Sequence, residues 1–208
     1  MIQINKGEEP PAWSSKKATP GFIEFEPITE LRDALLMEQG YICAYCMRRI
    51  PVKDINIDAH SKIEHIKSQH DRPDLQLDYS NMAVCCPGNL NNESHCDKFK
   101  DEKSVTFNLH TPALQQSISY STKDGTIKSS REDWNIELNN TLKLNHPLLK
   151  LNRRDTIAGV IDAIGTISWT TQLVKRQLLK AKGFNSKGQK VEYCGIIIWF
   201  LEKKIRQQ

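Results

Sequence analysis

The chain has 208 residues, 38% of them hydrophobic and 26% charged, with a formal net charge of +4. A chain of this length can bury a core without disulfide staples, and no stretch reaches the ~18 consecutive apolar residues of a membrane span. The mild basic excess is compatible with nucleic acid as a partner and does not by itself establish one.

The opening stretch MIQINKGEEPPAW has no apolar signal core, so a cytoplasmic protein is expected. In a reducing compartment, grouped cysteines serve as metal ligands or redox groups more often than as disulfides.

Residues 1–27 read as an extended arm. Pro10, Pro11, Pro20 and Pro27 forbid a long helix, and Trp13 and Phe22 can pin the arm to the body. Residues 28–39 turn helical, with Ile28, Leu31 and Leu35 at three- and four-residue steps and Gly40 as the stop. Cys43-Ala-Tyr-Cys46 follows, then Ile55, Ile57 and Ala59 alternate with polar residues as in a half-buried strand that runs on towards Ile63–Ile66. Residues 69–78 read as a polar loop, 81–86 as a returning strand, 87–94 as a Gly- and Asn-rich loop, and 96–103 as a helix.

Further on, Val105, Phe107 and Leu109 alternate. Residues 119–128 form a hairpin pattern turning at Asp124-Gly125, and 139–147 read as a polar linker. The last sixty residues are helical in pattern. Ile157, Val160, Ile161 and Ile164 share one face, and Leu173, Val174, Leu178 and Leu179 share another after a break near 165–169. A turn at 183–188 leads to a final helix over 191–205 with Lys203, Lys204 and Arg206 at its basic end. The expected organisation is an arm (1–27), a core (28–103), a hairpin and linker region (104–150) and a helical lobe (151–208). The lobe either docks a partner or completes the core.

Potential metal ligands are concentrated between residues 43 and 100, which hold five of the six cysteines and four of the six histidines. Two residues between Cys43 and Cys46 let both thiolates face one ion from a tight turn. Cys96 offers a third ligand and Cys85 or Cys86 the fourth. Four thiolates make a closed, structural zinc site that contributes to folding.

Between the zinc half-sites lie Glu64-His65 and Asn81. With CAYC before them and HCDKFKD after, this order resembles the HNH endonuclease family. Further stretches, among them INKGEEPPAW, LDYSNMAVCCPGN and LNNTLKLNHPLLKLNRR, resemble PtuB-type HNH proteins most densely over residues 30–103. The resemblance implies an α+β fold with a zinc-stabilised ββα-metal core, and it favours Cys86 over Cys85 as the fourth zinc ligand. It makes His65 the general base and places Glu64 and Asp97 on a Mg²⁺ or Mn²⁺ ion, with Asn81 fixing the hairpin loop and orienting the His65 ring. Asp97 stands where the family has His, and His95 is the alternative ligand. The second cysteine pair is also opened out, with nine residues between Cys86 and Cys96.

The implied activity is phosphodiester hydrolysis in nucleic acid, DNA ahead of RNA. The implied setting is bacterial anti-phage defence of the Septu or retron kind, beside a PtuA-like ABC/SMC-type ATPase. Arg48, Arg49, Lys98, Lys100 and Lys103 are the candidate phosphate contacts. A zinc-stabilised binding or adaptor module without cleavage is the alternative. Cys194 reads as a core thiol, His60 and His70 read as surface residues or phosphate neighbours, and His110 and His146 suggest nothing specific.

Overall fold

A computed structural model describes residues 1–51, 60–165 and 169–207. The arm contains a short helix, α1 (Pro11–Lys17), which the sequence reading does not anticipate. Proline is tolerated there because it sits at the first helical position, where its missing N–H would have no partner. Trp13 on α1 is fully buried and meets Phe22 and Phe25 edge-on, with ring centroids 5.9 and 5.8 Å away. The arm is thereby fastened across the body and carries Phe25 towards the centre of the molecule.

Helix α2 (Thr29–Gln39) buries Leu31, Leu35 and Leu36, and it ends where Gly40 adopts a left-handed φ of 63°. Its last residue, Gln39, is buried and binds backbone on two sides. Its amide nitrogen donates to the carbonyls of Ile42 and Val84 at 2.9 and 2.8 Å, and its oxygen accepts from Val84 N–H at 2.7 Å. One side chain thus joins the helix, the knuckle and the central hairpin.

That hairpin pairs β1 (Lys62–His65) with β2 (Met82–Cys85) antiparallel, Lys62 opposite Cys85 and His65 opposite Met82. Every residue of β2 is buried. The strand expected through Ile55, Ile57 and Ala59 lies outside the described residues. Two further strands, β3 (Asn89–Leu90) and β4 (Glu93–Ser94), replace the loop expected over 87–94. Asn91 and Asn92 between them both have positive φ, 48° and 64°, the combination that a two-residue hairpin turn requires. A short helix, α3 (Asp97–Lys100), follows at once.

Helix α4 (Pro112–Ser117) leads into the hairpin of β5 (Ile118–Tyr120) and β6 (Ile127–Ser129), close to the pattern read from the sequence. Helix α5 (Glu132–Ile136) widens into a π-turn over Glu137–Thr141. Residues 139–147 are not a polar linker. Leu142 and Leu144 are fully buried, and Asn145 binds both backbone groups of Ile127 at 2.9 and 3.0 Å. The polar side chains there satisfy buried backbone rather than face water.

Helices α6 (Pro147–Ile164), α7 (Thr171–Lys182) and α8 (Cys194–Arg206) end the chain. Ile157 and Ile164 of α6 and Val174 of α7 are buried, but Leu179 is 72% exposed and falls outside the face expected for it. Helix α8 buries most of its length, including Cys194. Its start abuts the cysteine knuckle: Tyr193 N–H donates to Met47 O at 3.0 Å, and a Cβ on Gly195 would lie 2.7 Å from Met47 Sδ. The final helix therefore belongs to the same core as the knuckle. Among the described residues no helix is long and apolar enough to cross a membrane.

Candidate metal centre and catalytic cleft

The sequence around CAYC folds into a tight knuckle. Cys43 N–H donates to Arg48 O at 2.9 Å and Met47 N–H to Cys43 O at 3.0 Å, with Met47 left-handed at φ 62°. Ala44 N–H donates to Val84 O at 3.0 Å and seats the knuckle on β2. The β3–β4 hairpin solves the second half of the problem. It carries the chain out and back, and His95 N–H returns to Gly88 O at 2.8 Å, so Cys86 and Cys96 flank the base of one hairpin.

The four sulfurs of Cys43, Cys46, Cys86 and Cys96 lie within 4.8 Å of one another, all buried. Cys43 and Cys96 are 4.0 Å apart and Cys46 and Cys86 3.7 Å. A tetrahedral ion with Zn–S bonds of about 2.3 Å sets its sulfurs about 3.8 Å apart, so the donor set fits zinc in both chemistry and spacing. Cys85 is equally buried but lies outside this group of four. Among the described residues no other set of three or more such side chains is gathered this closely.

A separate cleft of about 590 Å³ opens beside this centre, lined by Glu64, His65, Asp97, Lys98, Lys100 and Lys62 among others. Three of the four expected catalytic residues share it. Glu64 and His65 are strand neighbours whose side chains would ordinarily point to opposite faces. They meet in one cleft because β1 ends at His65.

Glu64 is 2% exposed, and its Oε1 accepts from the Tyr45 hydroxyl at 2.7 Å and the Lys100 ammonium at 2.9 Å. Burial, then the neighbouring Asp97 carboxylate, push the Glu64 carboxyl well above its usual range against the pull of Lys100. Two neighbouring carboxylates are hard oxygen donors, of the type that could hold Mg²⁺ or Mn²⁺.

His65 is buried beneath the edge of Phe25, ring centroids 4.5 Å apart. Its Nε2 lies 2.9 Å from the Gln76 carbonyl, an acceptor, so Nε2 carries the proton and Nδ1 keeps a lone pair. Burial lowers the basicity of the ring, partly offset by the Gln76 bond.

Asn81 does not line the cleft. Its Oδ1 accepts from Lys67 N–H at 2.8 Å, and its Nδ2 donates to the carbonyls of Lys67 and Leu75 at 2.9 and 3.3 Å. It staples the loop between β1 and β2, while the adjacent Gln76 carbonyl takes the His65 ring. Asp97 lines the cleft, whereas His95 turns to the thiol side with Nδ1 3.0 Å from Cys96 Sγ.

No protein-family model matches the chain. Over 171 residues it is 26% identical to the "Retron Vc95 putative HNH endonuclease" of Vibrio cholerae serotype O1 biovar El Tor, covering 77% of this chain and 80% of the relative. The chain is a distant relative of an HNH-type endonuclease. Its mixed α+β fold of small antiparallel sheets and its buried four-cysteine centre accord with a metal-binding protein of that kind.

Two candidate phosphate contacts are reassigned by their partners in the fold. Arg49 is committed to the carbonyls of Gly40 and Tyr41 at 3.0 and 3.1 Å, and to that of Lys190. Lys100 is 1% exposed and ion-paired with Glu64. Lys98 remains an exposed cation on the cleft wall, and Lys62, which the sequence reading did not single out, is another. His146 is also more than a loop residue. It is buried, accepts from Leu148 N–H at 3.2 Å at the start of α6, and lies 3.4 Å from Glu93.

Tyr45, Gln76 and Phe25 hold Glu64 and His65 from behind the cleft without being singled out by the sequence. Only Tyr45 left a trace, as the polar aromatic inside CAYC.

Proposed function

We propose that this chain is a zinc-stabilised HNH endonuclease with a ββα-metal core, made of β1, β2 and α3, that hydrolyses phosphodiester bonds in nucleic acid. The observation that carries the reading is His65: a buried imidazole with one nitrogen fixed on a backbone carbonyl and the other free, in one cleft with Glu64 and Asp97.

In this reading His65 Nδ1 accepts a proton from water as the water oxygen attacks phosphorus. The Gln76 carbonyl holds the tautomer and stabilises the ring when it becomes charged. Glu64 and Asp97 hold a divalent cation, which when bound neutralises the phosphate and eases departure of the 3′ oxygen. The P–O3′ bond breaks, leaving a 5′-phosphate and a 3′-hydroxyl. Lys62 and Lys98 contact neighbouring phosphates without reading bases. Zinc on Cys43, Cys46, Cys86 and Cys96 sets the position of Asp97, because Cys96 is its immediate neighbour.

DNA is the first substrate to test, with tRNA second. Kinship with a retron protein, and the resemblance to PtuB-type chains, support a role in anti-phage defence beside an ABC/SMC-like ATPase. The test incubates the purified protein, with and without such an ATPase, with plasmid and tRNA in Mg²⁺ or Mn²⁺ alongside His65→Ala. Metal-dependent cleavage lost in the variant supports the reading, and equal or absent cleavage in both proteins under every condition contradicts it.

A further inference from the structure

Among the described residues no other lysine is as buried as Lys100. It sits three residues beyond Asp97 on α3, yet its side chain turns back to β1. There its ammonium donates to Glu64 Oε1 at 2.9 Å and to the His65 carbonyl at 3.0 Å. Tyr45, lodged between two of the zinc cysteines, donates to the same Oε1 at 2.7 Å. Oε1 is thus held from two sides, with the Asp97 carboxylate beside the same carboxyl group. The His65 carbonyl is the last of β1, so the same ammonium secures the strand end that lets neighbouring side chains share a cleft.

A phosphate-gripping lysine needs exposure and free donors. Lys100 has neither: it is 1% exposed, and its contacts are the carboxylate and the carbonyl. What it joins are the two groups on which cleavage would depend. Resting on the nuclease reading above, we propose that Lys100 is a positioning residue. Its ammonium ties the Glu64 carboxylate to the His65 backbone and so holds the cation ligand and the general base in one fixed relation, with Tyr45 extending the tie to the zinc knuckle.

The experiment compares zinc-loaded wild type with Lys100→Ala, Lys100→Met and Tyr45→Phe. Zinc content and thermal unfolding identify the variants that remain folded, and Tyr45→Phe, which removes one hydroxyl, serves if both lysine variants fail to fold. Mn²⁺ binding without nucleic acid is read by electron paramagnetic resonance, and cleavage is resolved into kcat and KM. Lys100→Ala is expected to bind Mn²⁺ about tenfold more weakly and to lose about 10²-fold in kcat at nearly unchanged KM, a loss of the size that small misplacements of catalytic groups produce. Propylammonium, filling the vacated space, should restore both. Tyr45→Phe should show the same pattern at about threefold to tenfold.

Raised KM with unchanged kcat would make Lys100 a phosphate contact and overturn the proposal. Tighter Mn²⁺ binding in Lys100→Ala would make it a competitor of the cation and also overturn it. Losses that propylammonium does not restore, in a variant that is folded, would overturn it as well. A wild type that neither binds Mn²⁺ nor cleaves would remove the nuclease reading itself, and the proposal with it, an outcome distinct from a working wild type matched by its variants.

Discussion

The chemistry of the cleft depends on a few atoms. Lys100 and Glu64 form an ion pair in which both side chains are 2% exposed. Removing one partner from a pair so buried leaves an uncompensated charge and costs about 3–5 kcal/mol. Glu64→Leu should therefore lower stability by that order in urea unfolding, much more than a surface carboxylate exchange.

His65 makes a pH prediction. Burial holds its pKa below the ordinary 6.5, and a bound cation would press it the same way. The neutral, active base then persists to a pH below 6.5. Cleavage should be flat around neutrality and fall only on the acid side of the normal histidine range, and a profile still climbing at pH 8 would contradict the assignment.

The thiols make a third prediction. Cys86→Ala should lose zinc while Cys85→Ala keeps it, since only Cys86 lies in the group of four. The types Glu, His, Asp and Cys were legible as residues because their chemistry is specific. The Gln76 carbonyl was not, since any residue supplies one, and Lys100 reads from sequence like any other lysine until its burial is known.

At the scale of elements, the β3–β4 hairpin is the device that accommodates a widely spaced cysteine pair. Its nine-residue excursion looked like a loop because two-residue strands carry no alternation to detect. The turn did leave a signature, Asn91-Asn92, both in the left-handed region that asparagine tolerates. The hairpin also needs Gly88, where φ is 73° and a Cβ would come within 2.5 Å of His95 O. Gly88→Ala should weaken zinc retention and lower the melting temperature, whereas Asn92→Gly, which relieves a left-handed residue, should leave zinc unchanged and stabilise slightly. Helix α2 was read almost to the residue, because a regular apolar spacing ended at a glycine. Strand β1 is the far end of the strand that the alternation of Ile55, Ile57 and Ala59 predicts, and that alternation itself falls on residues outside those described.

Across the whole molecule, one core runs from Met1 to Leu201 and includes the knuckle cysteines. The arm enters it through Trp13, the residue expected to pin it, the supposed linker through Leu142 and Leu144, and the last helix, for which docking and core completion both stood open, through its contact with Met47. Such joins are long-range, and periodicity within one segment cannot show which other segment covers its apolar face. The same integration makes zinc a matter of global stability, because its ligands come from the knuckle, the end of β2 and the start of α3. A chelator strong enough to strip zinc should unfold the protein cooperatively, whereas one that removes only Mg²⁺ or Mn²⁺ should stop cleavage and leave the fold intact.

Whether Glu64, His65 and Asp97 make a nuclease is decided by plasmid cleavage with zinc-loaded protein in Mn²⁺. The expected products are nicked or linear DNA bearing 5′-phosphate ends, with His65→Ala slowed by about 10²- to 10⁴-fold at equal zinc content and equal melting temperature. Cleavage by the variant at the wild-type rate would contradict the nuclease reading.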